Sequence, residues 1–348
     1  MLASHRIVYL LGAGFSAPLG IPVMATFLAR AKDLYAERRD ELAHFDQVFQ
    51  RLGKLAYAKN YFASDQSNIE EVLSILEMDG RVGGEDLTAA FSRFISDVVT
   101  RLTPAMPKSE EWPPKNESPV ERAFGTNPDW SSYGHFVVGL FGARVQPVPQ
   151  TSLLRCVTSP DPHPHYDVVT LNYDRVLEKA ADATEKHPFE TACGVTFEAP
   201  GSWRPEGTAP LLSKLHGSVG AKYIVPPTWQ KAQFPEVVSA WTDAHKALRL
   251  ANAIRVVGYS LPDSDSYVRF LLKSAVVAND NLQQVEAICL DPDGSVKERF
   301  DAFLDFKGYR FVSAPVESYL QRLKHSVVTG GGLEAGHRVF WNDQRFHG

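Results

Sequence analysis

The chain has 348 residues, 44% of them hydrophobic and 22% charged, values of an ordinary globular protein that exclude wholesale disorder and a fibrous class. A net charge of −5 lays down no broad basic footprint, so no direct nucleic-acid binding is expected. Its three cysteines, Cys156, Cys193 and Cys289, stand far apart with no C-x-x-C pair, which argues against a disulfide framework or zinc ribbon and fits a reducing cytosol.

Ile7-Val8-Tyr9-Leu10-Leu11 is a β-branched-rich apolar run halted by Gly12-Ala13-Gly14, the pattern of a buried strand entering a tight turn. It is shorter than the roughly 7 residues of a signal-peptide apolar region, and nothing later approaches the ~18 apolar residues of a membrane span. A cytoplasmic protein without a membrane partner is expected. Phe27 to Tyr35 reads as a helix. From 36 to 164 the character is amphipathic helix without strand-like runs, which predicts a helical insertion. Within it Ser67-Asn68-Ile69-Glu70 is a capping box, and Ile69, Val72, Leu73 and Leu76 form one apolar face behind it. Residues 103–131, with Pro104, Pro107, Pro113, Pro114 and Pro119, read as a long surface loop or lid.

Strand-like runs then return at Val168–Leu171, Ala253–Val257, Val285–Leu290 and Tyr309–Val312, with a weaker one at Leu211–Leu215. Helical patterns follow several of them, at Arg175–Ala181 and Tyr267–Ala278. Such alternation predicts an α/β fold, a Rossmann-like doubly wound parallel sheet of about six strands, assembled from residues 1–35 and 165–328 around the insertion. Gly330-Gly331-Gly332 breaks into a tail, 329–348, whose Phe340, Trp341 and Phe346 need a covering surface, either the chain's own core or another copy.

Gly12-Ala13-Gly14-Phe15-Ser16-Ala17 follows a strand and precedes a helix. That is the setting in which a glycine loop brings backbone close to a pyrophosphate, whose charge is met by free N–H groups at a helix start. An ordinary dehydrogenase places an acidic residue at a strand end about 20 residues on. Here Asp33 falls in helical sequence, which demotes hydride transfer. Asn172 and Asp174, two apart at a strand end, point the same way and can reach one ligand. They could equally cap the helix that follows.

Taken together these segments resemble the sirtuin-like (SIR2-like) superfamily. Gly12-Ala13-Gly14-Phe15-Ser16-Ala17-Pro18-Leu19-Gly20-Ile21-Pro22 is similar to the sirtuin G-A-G-x-S-x-x-x-G-I-P loop, and Ala25-Thr26-Phe27 looks like its continuation in relatives that are not deacetylases. Thr170-Leu171-Asn172-Tyr173-Asp174 resembles T-Q-N-I-D, and Lys214-Leu215-His216-Gly217-Ser218 resembles the L-H-G motif of the catalytic histidine. Gly258-Tyr259-Ser260-Leu261 is similar to the G-x-S-L nucleotide loop, and Asp291 falls where the family meets the adenosine half. The motifs keep the family's order over about 280 residues.

The resemblance implies NAD as substrate, without a metal, held by Gly12, Ala13, Gly14, Ser16, Pro22, Thr26, Gly258, Ser260 and Asp291. It also implies roles for three further residues: Asn172 orients the ribose and attacking water, Asp174 holds the nicotinamide carboxamide, and His216 acts as base. Two features of protein deacetylases are missing, the paired zinc cysteines and the V-x-F-G-E peptide clamp. In their place Tyr223-Ile224-Val225-Pro226-Pro227-Thr228-Trp229 resembles a stretch of bacterial SIR2-like proteins linked to phage defence. What this implies is an NAD+ hydrolase (NADase), releasing nicotinamide and ADP-ribose and held off until infection. Its control would come from self-assembly into a homo-oligomer or from a separate activator of the ATPase or short Argonaute type. An ADP-ribosyltransferase, an atypical deacylase and a non-catalytic NAD or ADP-ribose sensor remain the alternatives.

Overall fold

A computed structural model describes residues 5–58, 71–72, 75, 78, 88–106, 120, 123–125, 128–158, 162–186, 188–220, 224, 235–277 and 279–345. Its centre is a six-stranded parallel sheet made of β1 (Arg6–Leu11), β4 (His165–Thr170), β5 (Leu212–Lys214), β6 (Ala253–Val257), β7 (Gln284–Cys289) and β8 (Tyr309–Ser313). The spatial order is β5-β4-β1-β6-β7-β8. Counted along the chain within this sheet the order is 3-2-1-4-5-6, the doubly wound arrangement expected from the sequence, with its direction of winding reversing between β1 and β6.

The central strand shows why the sheet forms. Every residue of β1 is buried, and successive side chains point to opposite faces. Ile7, Tyr9 and Leu11 join one core, with α4 (Pro128–Leu140), α5 (Val176–Ala183), α9 (Val316–Val328) and α10 (Gly332–Arg345). Val8 and Leu10 join the other, with α6 (Pro235–Arg249), α7 (Ser266–Val277) and α8 (Ser295–Phe303). A continuous apolar run is what a strand covered on both faces requires.

The intervening stretch builds its own core. Phe27, Ala31 and Leu34 of α1 (Met24–Glu37), Phe45 and Val48 of α2 (Phe45–Ala58), and Phe91, Phe94, Ile95 and Val98 of α3 (Thr88–Leu102) pack together. Helix α4 departs from this group and lies on the sheet, burying Trp130, Tyr133 and Phe136 against β1. The expected absence of strands between 36 and 164 is corrected: β2 (Ala143–Pro147) and β3 (Leu154–Thr158) pair as an antiparallel hairpin. Short strands of mixed polarity, such as Ala143-Arg144-Val145-Gln146-Pro147, give no continuous apolar signal. The expected absence of a disulfide is corrected as well. Cys156 of β3 and Cys193 are bonded, with Cα atoms 5.3 Å apart, because the fold brings the hairpin against the segment that leads to β5.

The tail forms α10, whose Phe340 and Trp341 are buried on the chain's own core. The capping box at 67–70, Leu73 and Leu76 behind it, most of the proline-rich stretch, the Tyr223–Trp229 motif apart from Ile224, and Phe346 lie outside the described residues. No described helix is long and apolar enough to cross a membrane.

Candidate functional site

Register brings the motifs to one edge. Leu11 pairs with Thr170 and Val257, Thr170 with Lys214, and Val257 with Ile288. The segments leaving β1, β4, β5, β6 and β7 therefore emerge side by side at the carboxyl end of the sheet, where open α/β sheets receive ligands. Gly12, Asn172, His216, Gly258 and Asp291 stand on those five segments.

The glycines of the first loop allow a close approach of backbone to backbone. Gly12 N–H donates to Val257 O at 3.1 Å and Gly14 N–H to Gly258 O at 2.8 Å. A Cβ on Gly12 would lie 2.6 Å from Tyr259 Cα, and one on Gly258, at φ +66°, would lie 2.2 Å from Phe15 N. Phe15 and Ser16 N–H also donate within the loop, to Gly12 O and Ala13 O. The loop winds as two 3-10 turns, Ala13–Phe15 and Ala17–Leu19, and α1 starts only at Met24. The expected free N–H groups of a helix start are thus corrected at Gly12, Gly14, Phe15 and Ser16, whose donors are already used.

A small cavity opens between these loops, lined by Phe15, Ser16, Asn172, Asp174, Glu178 and Lys214 among others. Asn172 Nδ2 donates to Ser16 Oγ at 3.1 Å, and Asn172 N–H donates to Thr170 Oγ1 at 3.1 Å. Asn172 is thereby held at both backbone and side chain. The Ser16 hydroxyl is directed in turn to the Asp174 carboxylate. Asp174 Oδ1 also accepts Val176 N–H at 3.0 Å, satisfying the first free N–H of α5 from one residue before its N-cap, Arg175. Burial pushes the Asp174 carboxyl above its ordinary range, against the opposing pull of the Lys214 charge, the Ser16 hydroxyl and the Val176 N–H.

Three of the residues singled out in the sequence, Ser16, Asn172 and Asp174, therefore meet around one cavity. The others surround it without lining it. His216 is fully buried in the turn after β5, its ring 6.0 Å from that of Tyr173. Pro22 is buried ahead of α1, and Thr26 is exposed in its first turn, donating to Val23 O. Ser260 O accepts Arg299 Nε at 3.0 Å, while both carboxylate oxygens of Asp291 accept N–H groups at the start of α8, from Val296 and Lys297. Two lining residues, Lys214 and Glu178, had not been singled out. Lys214 lay in plain view two positions before His216, but a lysine at a strand end carries no signal until its partners are known. Among the described residues no cluster of three His, Cys, Asp or Glu side chains could hold a metal ion.

Residues 167–312 match the family model of the SIR2-like domain. No curated protein matches the chain. Solved structures that align with it include a Sir2 bound to acetylated peptide, 14% identical with a TM-score of 0.38, and a Sir2–p53 peptide–NAD+ complex, 14% identical with a TM-score of 0.39. Both alignments cover 93% of each chain. With similarity this distant, the ground for the fold is the strand order itself.

Proposed function

We propose, from the premise that residues 167–312 belong to the SIR2-like family, that this chain is an NAD+ glycohydrolase. The observation that carries the reading is the convergence of Ser16, Asn172 and Asp174 on one cavity at the sheet's carboxyl edge.

On this reading the nicotinamide ring enters the cavity and Asp174 accepts a hydrogen bond from its carboxamide. Asn172, aligned by Ser16 and Thr170, orients the ribose and a water. The water oxygen bonds to C1′ as the bond from C1′ to the ring nitrogen breaks, and the electron pair of that bond returns to the ring. Neutral nicotinamide leaves, and the water's proton passes to a base, the role that the SIR2-like resemblance assigns to His216, buried in the turn after β5 beside the cavity. The transition state is oxocarbenium-like, as in glycoside hydrolysis, and a fixed amide and carboxylate stabilise such charge. Water is favoured as acceptor because the sequence lacks the peptide-clamping strand of deacetylases. The biological setting we propose is phage defence by NAD+ depletion, released by self-assembly or by a separate activator.

The test is incubation of the full chain with NAD+, alone and with extract of infected cells, following nicotinamide and ADP-ribose by chromatography. Release of both, abolished by Asn172→Ala and by His216→Ala, is expected. Intact NAD+ bound under every condition would replace the hydrolase with a sensor, and ADP-ribose appearing on protein would make the chain a transferase.

A further inference from the structure

The cavity holds a charge arrangement that the proposed reaction has not used. Lys214 is the last residue of β5, an edge strand of three residues held only on the β4 side, where it pairs with Thr170. Its side chain is 12% exposed and lines the cavity. The ammonium donates to the backbone carbonyl of Asp174 and, at 3.0 Å, to Glu178 Oε1 on the first turn of α5. One side chain thus joins β5, the segment after β4 and the start of α5, two residues before His216.

We propose that Lys214 is a positioning residue of this site: its ammonium ties the Asp174 segment to the edge strand and supplies positive charge against the Asp174 and Glu178 carboxylates, so that Asp174 faces the cavity as a fixed acceptor. The inference rests on the reading of the cavity as the nicotinamide pocket, but the contacts themselves do not depend on it. The charged groups around Asp174 are Lys214 from β5 and Glu178 and Lys179 from α5, with Arg175 beside Lys179. Burial drives the Asp174 carboxyl toward its neutral form, Glu178 adds to that drive, and Lys214 is the largest influence against it. Without the ammonium, two carboxylates would share a partly closed space, and the acceptor expected by a carboxamide would be protonated more readily. Lys214 also carries the backbone of the Asp174 segment, a contact that a point charge elsewhere could not replace.

The experiment compares the full chain with Lys214→Met, Lys214→Arg and Glu178→Gln by two readouts. The first is the carboxyl ¹³C titration of Asp174, assigned with Asp174→Asn, which needs no substrate. Lys214→Met is expected to move the Asp174 midpoint to higher pH, Lys214→Arg to bring most of that shift back, and Glu178→Gln to move it to lower pH. The second is NAD+ turnover against pH. Lys214→Met should lower kcat/KM about tenfold near neutrality, the loss of one charge-assisted contact, and deepen the loss toward acid. An Asp174 midpoint that is the same in the wild type, Lys214→Met and Glu178→Gln would overturn the inference. A wild type that never cleaves NAD+ would remove the hydrolase reading instead, while the titration still decides the role of Lys214. If Lys214→Met fails to fold, Lys214→Gln takes its place with the same expected rise of the Asp174 midpoint and the same overturning result.

Discussion

Asn172 and Ser16 form a buried pair whose geometry is set from both sides, by Thr170 beneath and Asp174 beyond. Replacing Asn172 by Ala should cost only about 1 kcal/mol of stability, the worth of one intramolecular hydrogen bond. If the amide orients water and ribose, the same change should lower NAD+ turnover by about 100-fold or more. Chromatographic rates set beside urea midpoints separate the two effects. Gly258 makes the opposite case. Its φ of +66° and the 2.2 Å from a Cβ to Phe15 N leave no room for a side chain. Gly258→Ala should therefore destabilise the fold by more than about 1 kcal/mol, read as a lowered urea midpoint with an unchanged slope. Both residues were visible in the sequence, because an amide two before a carboxylate and a glycine after an apolar run are local patterns. Lys214 and Glu178 were not, because their meaning lies in a contact across 36 residues.

Helix α10 shows what an element can hide. Its Glu334 receives two hydrogen bonds from Arg255 of β6, at 2.7 and 3.0 Å, and its His337 meets Glu286 of β7 at 2.6 Å and Tyr319 of α9 at 2.9 Å. Arg310 of β8 lies over the Trp341 ring at 4.1 Å. A tail that reads as glycine-broken and aromatic is thus fastened by ions buried against the sheet. Burial alone would raise the Glu286 carboxyl, but the His337 hydrogen bond and the charges of His337, Arg255 and Arg310 outweigh it and hold it at about 2. Burial, reinforced by Arg255, lowers His337 in spite of Glu286. Both folded-state values lie below the ordinary ones, so both contributions to stability are complete at neutral pH and are lost on acidification. The His337 share fades as pH falls below about 6.5, and the Glu286 share between about 4.5 and 2. Trp341 fluorescence should report release of α10 over that range. Glu286→Gln should flatten the lower part of the curve and cost about 1–3 kcal/mol at pH 7, because Arg255 keeps its pair with Glu334 and the loss is that of the buried hydrogen bonds to the carboxylate.

At the scale of the whole molecule, the chain is a two-faced sheet with a helical unit inserted between β1 and β4 and a covalent tie at the side. The Cys156–Cys193 bond closes a loop of 37 residues that contains β4, Asn172, Asp174 and α5. A cross-link of that span should stabilise the fold by about 3–4 kcal/mol through the entropy of the unfolded chain. Melting with and without reductant, beside a Cys156→Ser, Cys193→Ser double variant, measures it. Equal melting temperatures in all three would show that the bond contributes nothing in solution. Cys289, buried and with its thiol pushed up to about 11, should stay unreactive toward alkylating reagents in the folded state.

By itself the sequence determined the parallel α/β sheet, the interruption after its first strand and the edge at which the loops gather. Those follow from continuous apolar runs, glycine stops and their order, which are local and additive along the chain. Only the tertiary structure decided that Ser16, Asn172 and Asp174 share a cavity with Lys214 and Glu178, that the glycine loop uses its N–H groups on β6, on Gly258 and within itself, that two distant cysteines are bonded, and that the tail is fastened by buried ions. Each of these depends on contacts between residues far apart in the chain. Which of several competent partners a lysine, a cysteine or a backbone N–H takes is settled by the packing of the elements that carry them.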